Sequence, residues 1–520
     1  MIRKPVLKRS VRGSRSSQSH SVPAPVGGLN ILASEASMPA TDASVLDNWL
    51  PGTTDISLRA GAATHKSALP AVTDTLLTYS STTTSKLFAA TSLGMFDVTT
   101  AGAAGASLLA ITNGRCNFTN FNTLGGAYTL SVNGVDKLAL YNGTVWAFID
   151  DVSTPAITGI ATTSLSFVTQ FKRRIWFVQK DSMSAWYLPV NQIGGAAVEF
   201  PVGQLFRKGG KLVALHTWTV DGGSGVDDML AAITSEGEIA VYQGTDPASA
   251  ATFALVGVYA VGKPIGDRCF VKFGGDVLML TEDGIAPLSE SLGSGEVGKN
   301  VVVTKKIDPG LTSAIKAYRG NFGWSLQIHT PASLLIINVP TTEGIASYQY
   351  VMNTVTGAWS KFTGWNATCF ATAGEALYFG LPTSVAKGLT GTSDFDADIV
   401  GVCRQAYNYL GSRGRQKHVK LIRPSLWTDG SVSVGVGLTT DFADTANITL
   451  YPLSVAGGGV WDSSTWDSAV WAGDFTLTSS WYTVTAPEGY CVAVNLHVAT
   501  KVARIRWSAT DFIYAVGGQL

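Results

Sequence analysis

Charged residues are scarce in this chain of 520 residues: 14% are Asp, Glu, Lys or Arg, against 46% hydrophobic residues. Such a composition excludes general disorder. A formal net charge of zero, from 37 basic and 37 acidic residues, excludes a chain that binds polyanions over its whole surface. Long helix formers are few, whereas Thr, Ser, Ala and Val abound, which favours β-strands. The length predicts two or three domains.

Cysteine pairs and long apolar runs are also missing. The five cysteines stand singly, with no CxxC pair and an odd total, so we expect neither a zinc site nor a disulfide framework. This usage suits a protein made in a reducing cytoplasm. No apolar run approaches eighteen residues, so we expect no membrane span. The basic N-terminus lacks the apolar stretch of a secretory signal.

The motifs of common catalytic sites do not occur. We find no HExxH, no GxSxG and none of the SxDxGxTW boxes of sialidase-like propellers. GSGEVGKN (293–300) matches GxGxxG, but Asn300 stands where a P-loop needs Ser or Thr, and the β-like VVVT follows it. A flexible Gly-rich turn is therefore favoured there. We predict a protein that is not an enzyme and holds no metal and no cofactor.

Two groups of acids are weak candidates for chemistry. Asp394, Asp396 and Asp398 alternate in SDFDADIV, and Asp150 stands beside Asp151. A calcium loop of the EF-hand type also needs a glycine and a terminal glutamate, which are missing. A glycosidase needs two carboxyls on opposite sides of a bond, whereas close sequence neighbours are more often a solvated turn. We interpret both groups as solvated turns, with a cation site as the alternative.

What the sequence has in abundance is one repeated unit, an apolar run, a Gly-centred polar turn and a second apolar run. Clear copies read LFAATSLGMFDV from Leu87, YTLSVNGVDKLALYNGTVW from Tyr128, LAAITSEGEIAVYQG from Leu230 and VLMLTEDGIAPLS from Val277. Such strand-turn-strand units, recurring at roughly 40–55 residues, are typical of radially repeated β architectures. With the weaker copies, the units up to Leu389 predict an all-β fold with a β-propeller of six to eight blades.

The rest of the chain differs from these units. We predict a basic extended N-terminal arm at 1–26, the propeller domain at 27–402 and a β-sandwich-like domain at 403–520, where period-two alternation such as SVSVGVGL (431–438) dominates. An insertion near 293–321 should contain a helix in DPGLTSAIKAY. A second short helix is predicted in MPATDASVLDNWL, with Ala43, Leu46 and Leu50 on one side.

Two basic clusters lie at the predicted domain edges. The first is in the arm, which has no acid before Glu35, and consists of Arg3, Lys4, Lys8, Arg9, Arg12 and Arg15. The second opens the C-terminal domain and includes Arg413, Arg415, Lys417, Lys420 and Arg423. A solvated surface is the general alternative for each. We predict contact with an acidic partner or with a polyanion such as DNA, bound through its phosphates without sequence specificity. The second cluster is also a candidate for subunit packing or docking.

Three tryptophans, Trp461, Trp466 and Trp471, repeat every five residues. This spacing fits neither one helix face nor one strand face, so we expect a loop or successive turns. Buried rings between sheets, or subunit packing, are favoured over a platform for stacking carbohydrate.

Several segments together resemble one protein family. APVGGLNILASEASMPATDASVLDNWLPGTTDISLRAGAATH (24–65) is similar to the opening of the tail nozzle proteins of short-tailed bacteriophages, which include tail tubular protein B and the packaged-DNA stabilisation proteins. Further similarity follows in LMLTEDGIAPLSE, KKIDPGL, YVMNTVTGAWSKFTGW, GRQKHVKLIRPSL, GVWDSSTWDSAVW and IYAVGGQL. The order of these motifs is more specific than any one of them.

The resemblance implies a structural virion protein of a podovirus tail, made in the bacterial host cytoplasm. Its partners would be further copies of the chain in a ring, expected to be a hexamer, the head-to-tail adaptor protein above it, tail fibre or spike proteins, and a tail needle or plug. The ring would conduct phage DNA during ejection and retain packaged DNA before it. The alternative is a propeller that binds or degrades glycans on the host surface, and a second alternative is a monomeric interaction scaffold.

Overall fold

The structure is a computed structural model that describes residues 17–221, 226–289, 303–443, 446–453, 475–484 and 488–517. Its contacts divide the chain into two compact units. One, here called the propeller unit, combines Leu29–Leu32 with Arg59–Ile399. The other, here called the second unit, is drawn from Met1–Gly28, Ala33–Leu58 and Val400–Leu520. The predicted propeller domain at 27–402 therefore includes residues of both units.

The strands that precede the repeated units come from both units. Numbered along the chain, they are β1 (Ser17–Pro23), β2 (Gly28–Leu29), β3 (Asp42–Asp47), β4 (Trp49–Pro51), β5 (Ile56–Leu58) and β6 (Ala62–Ser67).

The propeller unit contains seven blades in the described residues, each an antiparallel sheet. Blade A has β7 (Thr75–Ser80), β8 (Ser85–Thr91) and β9 (Gly94–Asp97), followed by β10 (Gly102–Ala103). Blade B has β11 (Asn117–Thr123), β12 (Gly126–Val132), β13 (Leu138–Tyr141) and β14 (Trp146–Ile149). After β15 (Ile157–Thr158), blade C has β16 (Leu165–Phe171), β17 (Arg174–Gln179), β18 (Ser184–Tyr187) and, beyond β19 (Gly195–Ala196), β20 (Val198–Pro201).

The remaining blades follow in the same order. Blade D has β21 (Leu212–Asp221), β22 (Val226–Thr234), β23 (Glu238–Gly244) and β24 (Phe253–Ala260). Blade E has β25 (Phe270–Phe273), β26 (Asp276–Thr281) and β27 (Gly284–Pro287), and it is followed by the helix α1 (Asp308–Tyr318). Blade F has β28 (Ser325–His329), β29 (Leu334–Thr342), β30 (Ala346–Asn353) and β31 (Trp359–Phe362). Blade G has β32 (Phe370–Ala373), β33 (Ala376–Gly380) and β34 (Val385–Gly388).

The first strands of the blades surround a common axis. Each contacts the neighbouring blade in turn, from β7 through β11, β16, β21, β25, β28 and β32 and back to β7. This closed circuit of small antiparallel sheets is a β-propeller. The predicted fold class is therefore confirmed, with a blade number inside the expected range.

An N-terminal strand closes the ring. β6 pairs antiparallel with β34 and becomes the fourth strand of blade G, with Ala62 opposite Gly388. The preceding Gly61 passes so close to the loop after β34 that a Cβ atom there would lie 1.9 Å from the Ser393 carbonyl oxygen. Only glycine fits this approach without a shift of the backbone. The two ends of the propeller sequence are thus joined in one sheet.

An ion pair fastens the same closure. The buried guanidinium of Arg59 donates to both carboxylate oxygens of Asp394, at 2.9 and 2.5 Å, and to the Thr363 carbonyl at 2.7 Å. Trp365 donates its indole N–H to the same carboxylate at 3.1 Å. Asp394 is therefore a structural residue and no part of a solvated turn.

Aromatic side chains fill the space between blades C and D. Trp176, which is fully buried, stacks on Phe253 with ring centroids 6.0 Å apart, and Tyr242 stacks on the same ring at 5.2 Å. Truncating a ring of this kind to alanine typically costs about 3–5 kcal/mol. The repeated apolar runs of the sequence are therefore the surfaces on which neighbouring blades stack.

The helix predicted in DPGLTSAIKAY is confirmed as α1. Pro309 occupies its first turn, and Leu311, Ala314 and Ile315 are buried on one side. This side packs against β27 and β29, so the helix covers blades E and F. The Gly-rich segment GSGEVGKN that precedes it lies outside the described residues.

The helix predicted in MPATDASVLDNWL is wrong. Residues of this segment form β3 and β4, and β3 pairs with β35 (Ile399–Gln405), Leu46 lying opposite Cys403. An irregularity between Ala43 and Val45 shifts the register, so Ala43 and Leu46 are both buried although three residues apart. A β-bulge therefore produced the helix-like spacing.

The second unit consists of two antiparallel sheets. Its further strands are β35, already given, β36 (Lys417–Thr428), β37 (Val432–Thr440), β38 (Thr449–Leu453), β39 (Thr476–Thr478), β40 (Tyr482–Thr483), β41 (Val492–Thr500) and β42 (Ile505–Val516). One sheet has the order β39–β36–β42–β5–β4, with β1 also on β42 and β40 on β36; the other contains β3–β35–β41–β37–β38. β1 thus places part of the predicted arm in a sheet.

Candidate functional site at the propeller axis

The entrances of the innermost strands converge on a cavity of about 220 Å³. Every blade contributes to its lining, from Thr75 of blade A to Phe370 of blade G. The walls carry four phenylalanine rings, Phe118, Phe167, Phe270 and Phe370. Polar groups, among them Asp267 and Arg268, lie between these rings. A concave pocket that combines apolar walls with polar groups is the usual place for a ligand.

Arg268, just before β25, crosses the axis. Its guanidinium donates to the Asp74 carbonyl at 2.6 Å, to the Cys116 carbonyl at 3.1 Å and to the Thr75 hydroxyl. These acceptors belong to the start of blade A and to the segment that enters blade B. Burial lowers the pKa of Arg268, although arginine stays protonated at neutral pH. One charged side chain therefore ties three blades together.

The Phe322 ring supports two guanidiniums. The centroid of this ring lies 4.8 Å from the Arg268 Cζ and 4.3 Å from the Arg115 Cζ. Arg115 forms an ion pair with Glu343, whose carboxylate also accepts the Phe322 backbone N–H at 2.9 Å. This network borders a second cavity of about 270 Å³, which shares Asp267 and Arg268 with the first.

Two carboxyls near Arg268 have raised pKa values. Desolvation raises the pKa of Asp74, against the opposing charges of Arg115 and Arg268. Desolvation likewise raises the pKa of Asp267, which Lys211 and Arg268 oppose. Neither carboxyl forms an ion pair among the described residues. Both remain groups that a cation or a hydrogen-bond donor would stabilise.

His216 of blade D contributes a neutral ring to the wall. It packs edge-on against Phe167 at 5.5 Å and tilted against Phe270 at 5.0 Å. Its Nε2 atom is buried and has no hydrogen-bond partner among the described residues, and burial lowers the pKa of His216 to about 4. The Ser325 hydroxyl is also buried and likewise has no partner in the described part of the chain. Unpaired polar atoms of this kind are uncommon in folded proteins.

The chemistry that the axis offers is limited. Arg268 influences both acidic groups, and neither acid perturbs the pKa of the other. Within the described ranges, no three His, Cys, Asp or Glu side chains lie close enough to hold a metal ion. No helix in the described part of the chain is long and apolar enough to cross a membrane. The axial cavity offers hydrogen-bonding groups for a small polar ligand. The hydrogen bonds of Arg268 close the axis between blades A, B and E.

Most of the site residues predicted from the sequence lie outside the described part of the chain. They are the arm cluster Arg3, Lys4, Lys8, Arg9, Arg12 and Arg15 and the three tryptophans Trp461, Trp466 and Trp471.

The second basic cluster is divided between the interior and the surface. Lys417 is buried and donates to the Tyr490 carbonyl at 2.7 Å, and this burial lowers the pKa of Lys417. Its neighbour Lys420 points outward and donates to the Ser17 hydroxyl at 3.0 Å. Arg415 is exposed. The run of charges is therefore not one continuous basic surface.

The other two arginines of that cluster contact aromatic rings. Arg413 lies 4.4 Å from the Tyr409 ring centroid. Arg423 forms two contacts with Asp511, at 3.0 and 2.7 Å, and lies 4.7 Å from the Trp481 ring centroid. Sequence reasoning selected these charges but gave no sign of their partners.

Sequence reasoning missed the axial residues Asp74, Asp267 and Arg268 altogether. The available signal was the Asp267-Arg268 pair itself, since two charges directly before an apolar strand are unusual in a chain with so few.

Comparisons with known proteins add little at the level of sequence. No protein-family model and no curated protein matches the chain. Among solved structures, the chain is similar to BBS1N in complex with ARL6DN (8% identity, 63% of this chain and 96% of that chain, TM-score 0.39). It is also similar to the β-propeller domain of Cps50 (Swd1) from Myceliophteria thermophila (11% identity, 64% and 97%, TM-score 0.34).

A third similar structure is a family 43 arabinoxylan arabinofuranohydrolase from Bacillus subtilis in complex with cellotetraose (10% identity, 87% and 96%, TM-score 0.25). The chain is a β-propeller protein. This assignment depends on the closed circuit of seven blades in the described residues, because the similarities carry no argument of their own.

Proposed function

We propose that this chain is a non-enzymatic structural protein, a ring subunit of the tail nozzle of a short-tailed bacteriophage. The observation that carries the proposal is the order of the tail-protein motifs along the chain, from PVGGLN at Pro25 to the closing IYAVGGQL. In the virion, the ring would lie below the head-to-tail adaptor, form the DNA-ejection channel, retain packaged DNA and anchor fibres or spikes.

The places of these motifs in the fold are consistent with a building role. The segment 24–65 supplies β3 to β5 of the second unit and most of β6, which closes the propeller. LMLTEDGIAPLSE forms the β26–β27 hairpin of blade E, and YVMNTVTGAWSKFTGW forms the second half of β30 and all of β31 in blade F. These three segments therefore contribute strands to the scaffold of both units.

The test is assembly with the adaptor. The full chain is mixed with the head-to-tail adaptor ring of the same phage, and the mass of the complex is measured in native conditions. We expect a stable complex with several copies of the chain. A truncation that removes residues 2–15 but keeps β1 should weaken the complex, because it deletes all six arm cations. A chain that never joins the adaptor ring contradicts the proposal.

A second candidate function is binding or cleavage of a glycan at the propeller axis. Asp74 and Asp267 favour it, because glycoside hydrolysis uses two carboxyls, one with a raised pKa. Arg268 weighs against it, since its guanidinium is fixed at the same place by three acceptors. Turnover of host polysaccharide by the purified chain, lost in an Asp267→Asn variant, would establish this function in place of the first.

A further inference from the structure

One exposed sheet face of the second unit has the composition of a protein-binding surface. It is formed by β36, β39, β40 and β42 and is called here the Arg–Trp face, consisting of Arg423, Trp427, Leu477, Trp481 and Arg506. Trp427 lies directly opposite Arg506 in one neighbouring strand and Leu477 in the other. Trp427, Leu477 and Trp481 are 37%, 44% and 38% exposed. Tryptophan and arginine dominate the energetically important centres of protein interfaces.

The Arg–Trp face carries unneutralised positive charge. Arg423 is paired with Asp511. Arg506, by contrast, lies 4.3 Å from the Phe475 ring centroid and forms no ion pair with any described carboxylate. A guanidinium held flat against a ring keeps its N–H edge free for a carboxylate. The Arg–Trp face is therefore complementary to a partner that carries carboxylates, which would pair with Arg506, and an apolar side chain, which would pack on Trp427 and Leu477.

The propeller unit presents a surface of that chemistry. The segment 395–398, called here the acidic tip, is exposed throughout, with Phe395 37% exposed. Asp396 and Asp398 form no ion pairs with described residues, whereas Asp394 is already bound to Arg59. The acidic tip thus combines two free carboxylates with one exposed aromatic ring.

The acidic tip is also held in a fixed conformation. The backbone N–H groups of Asp394 and Ala397 donate to each other's carbonyls at 3.0 and 2.9 Å, and Phe395 donates its N–H to the Ala62 carbonyl at 2.8 Å. A segment that is rigid before binding loses little entropy when it docks.

We propose that the acidic tip of one copy of this chain docks on the Arg–Trp face of a second copy. Phe395 packs against Trp427 and Leu477, and a carboxylate of the tip pairs with Arg506. The occupant is a second copy because the chain itself supplies both complementary charges. The two surfaces differ, so the contact is head-to-tail and can close into a ring. This inference rests on the proposed ring function and forms one part of the subunit interface.

The experiment uses charge reversal in the full chain. Arg506→Glu is one variant, and the combined change Asp396→Lys with Asp398→Lys is the other. We expect each variant alone to assemble more weakly: the chain concentration that gives half-maximal oligomer, measured by mass photometry, should rise at least tenfold. An equimolar mixture of the two variants should form mixed pairs, and a chain with all three changes should recover assembly, because the reversed charges attract again.

Two controls separate the outcomes. Lys316→Glu reverses an exposed charge on α1 and should assemble as the unchanged chain does. Thermal unfolding midpoints show whether each variant is folded, and the recovery in the triple variant keeps the test valid if one single variant is unstable.

The results also distinguish this inference from the function on which it rests. If the unchanged chain forms rings and both charge-reversal variants assemble equally well, the proposed interface is wrong, whereas the proposed ring function is still supported. If the unchanged chain stays monomeric in every condition, the proposed function and the interface both fail. If Arg506→Glu abolishes binding of dextran sulfate or a single-stranded oligonucleotide but leaves rings intact, the face serves a polyanion and the inference is overturned.

Discussion

Removing the carboxylate of Asp394 tests the ion pair that fastens the closing strand. The Arg59 side chain is fully buried and that of Asp394 is 10% exposed. In Asp394→Ala the guanidinium keeps its charge but loses its bonds to the Asp394 carboxylate, and breaking a buried pair in this way costs about 3–5 kcal/mol. For a unit of this size about 1 kcal/mol corresponds to roughly 1.4 °C, so the unfolding midpoint should fall by about 4–7 °C.

The assay is thermal unfolding followed by tryptophan fluorescence. Trp365 is a local reporter, because its indole N–H donates to Asp394 in the folded protein. The matched control is Asp181→Ala, which breaks the pair with Lys211, whose side chains are 64% and 51% exposed. An exposed pair is worth less than about 1 kcal/mol, so this midpoint should barely move. Equal shifts in the two variants would refute the role given to the buried pair.

Three further predictions concern the axis. Burial lowers the pKa of His216 to about 4, so its contribution to the free energy of unfolding is fully present above pH 6.5 and is lost, by about 3 kcal/mol, as the pH drops to 4. In urea unfolding, His216→Phe should abolish this decrease. A variant whose free energy of unfolding falls with pH as in the unchanged chain would contradict the prediction. Because desolvation raises the pKa of Asp267, the Asp267→Asn variant should have a higher thermal unfolding midpoint than the unchanged chain at pH 7, and the two midpoints should be equal below pH 3.8. A lower midpoint of the variant at pH 7 would contradict this. Burial raises the pKa values of Cys116 and Cys369 to about 11, and Arg268→Ala should make both thiols react faster with a thiol reagent at pH 8. Thiols that react as slowly as in the unchanged chain would show that Arg268 does not close the axis.

The repeated hairpins could be predicted because their signals are local. TEDG at 281–284 pairs Thr281 with Gly284 across the turn between β26 and β27, and Gly284 has a φ of 112°. Glycine adopts that conformation readily, so the residues of the turn themselves predict where it forms. The same applies to α1, where Pro309 and the spacing of the buried residues lie within eleven residues.

The closure of the ring and the axial site depend on distant residues. β6 pairs with β34 across more than three hundred residues, and no local pattern indicates that pairing. Arg268 binds atoms of Asp74, Thr75 and Cys116, which come together only because the blades form a circle. The error at 38–50 has a different cause, since a bulge gave β3 the spacing of a helix.

The most direct test of the central claim is to image the purified full-length chain by electron microscopy. We expect closed rings of one subunit number with a central lumen, formed by the chain alone or on the adaptor. Particles that remain single 54.6 kDa monomers at every concentration, with and without the adaptor, would contradict it.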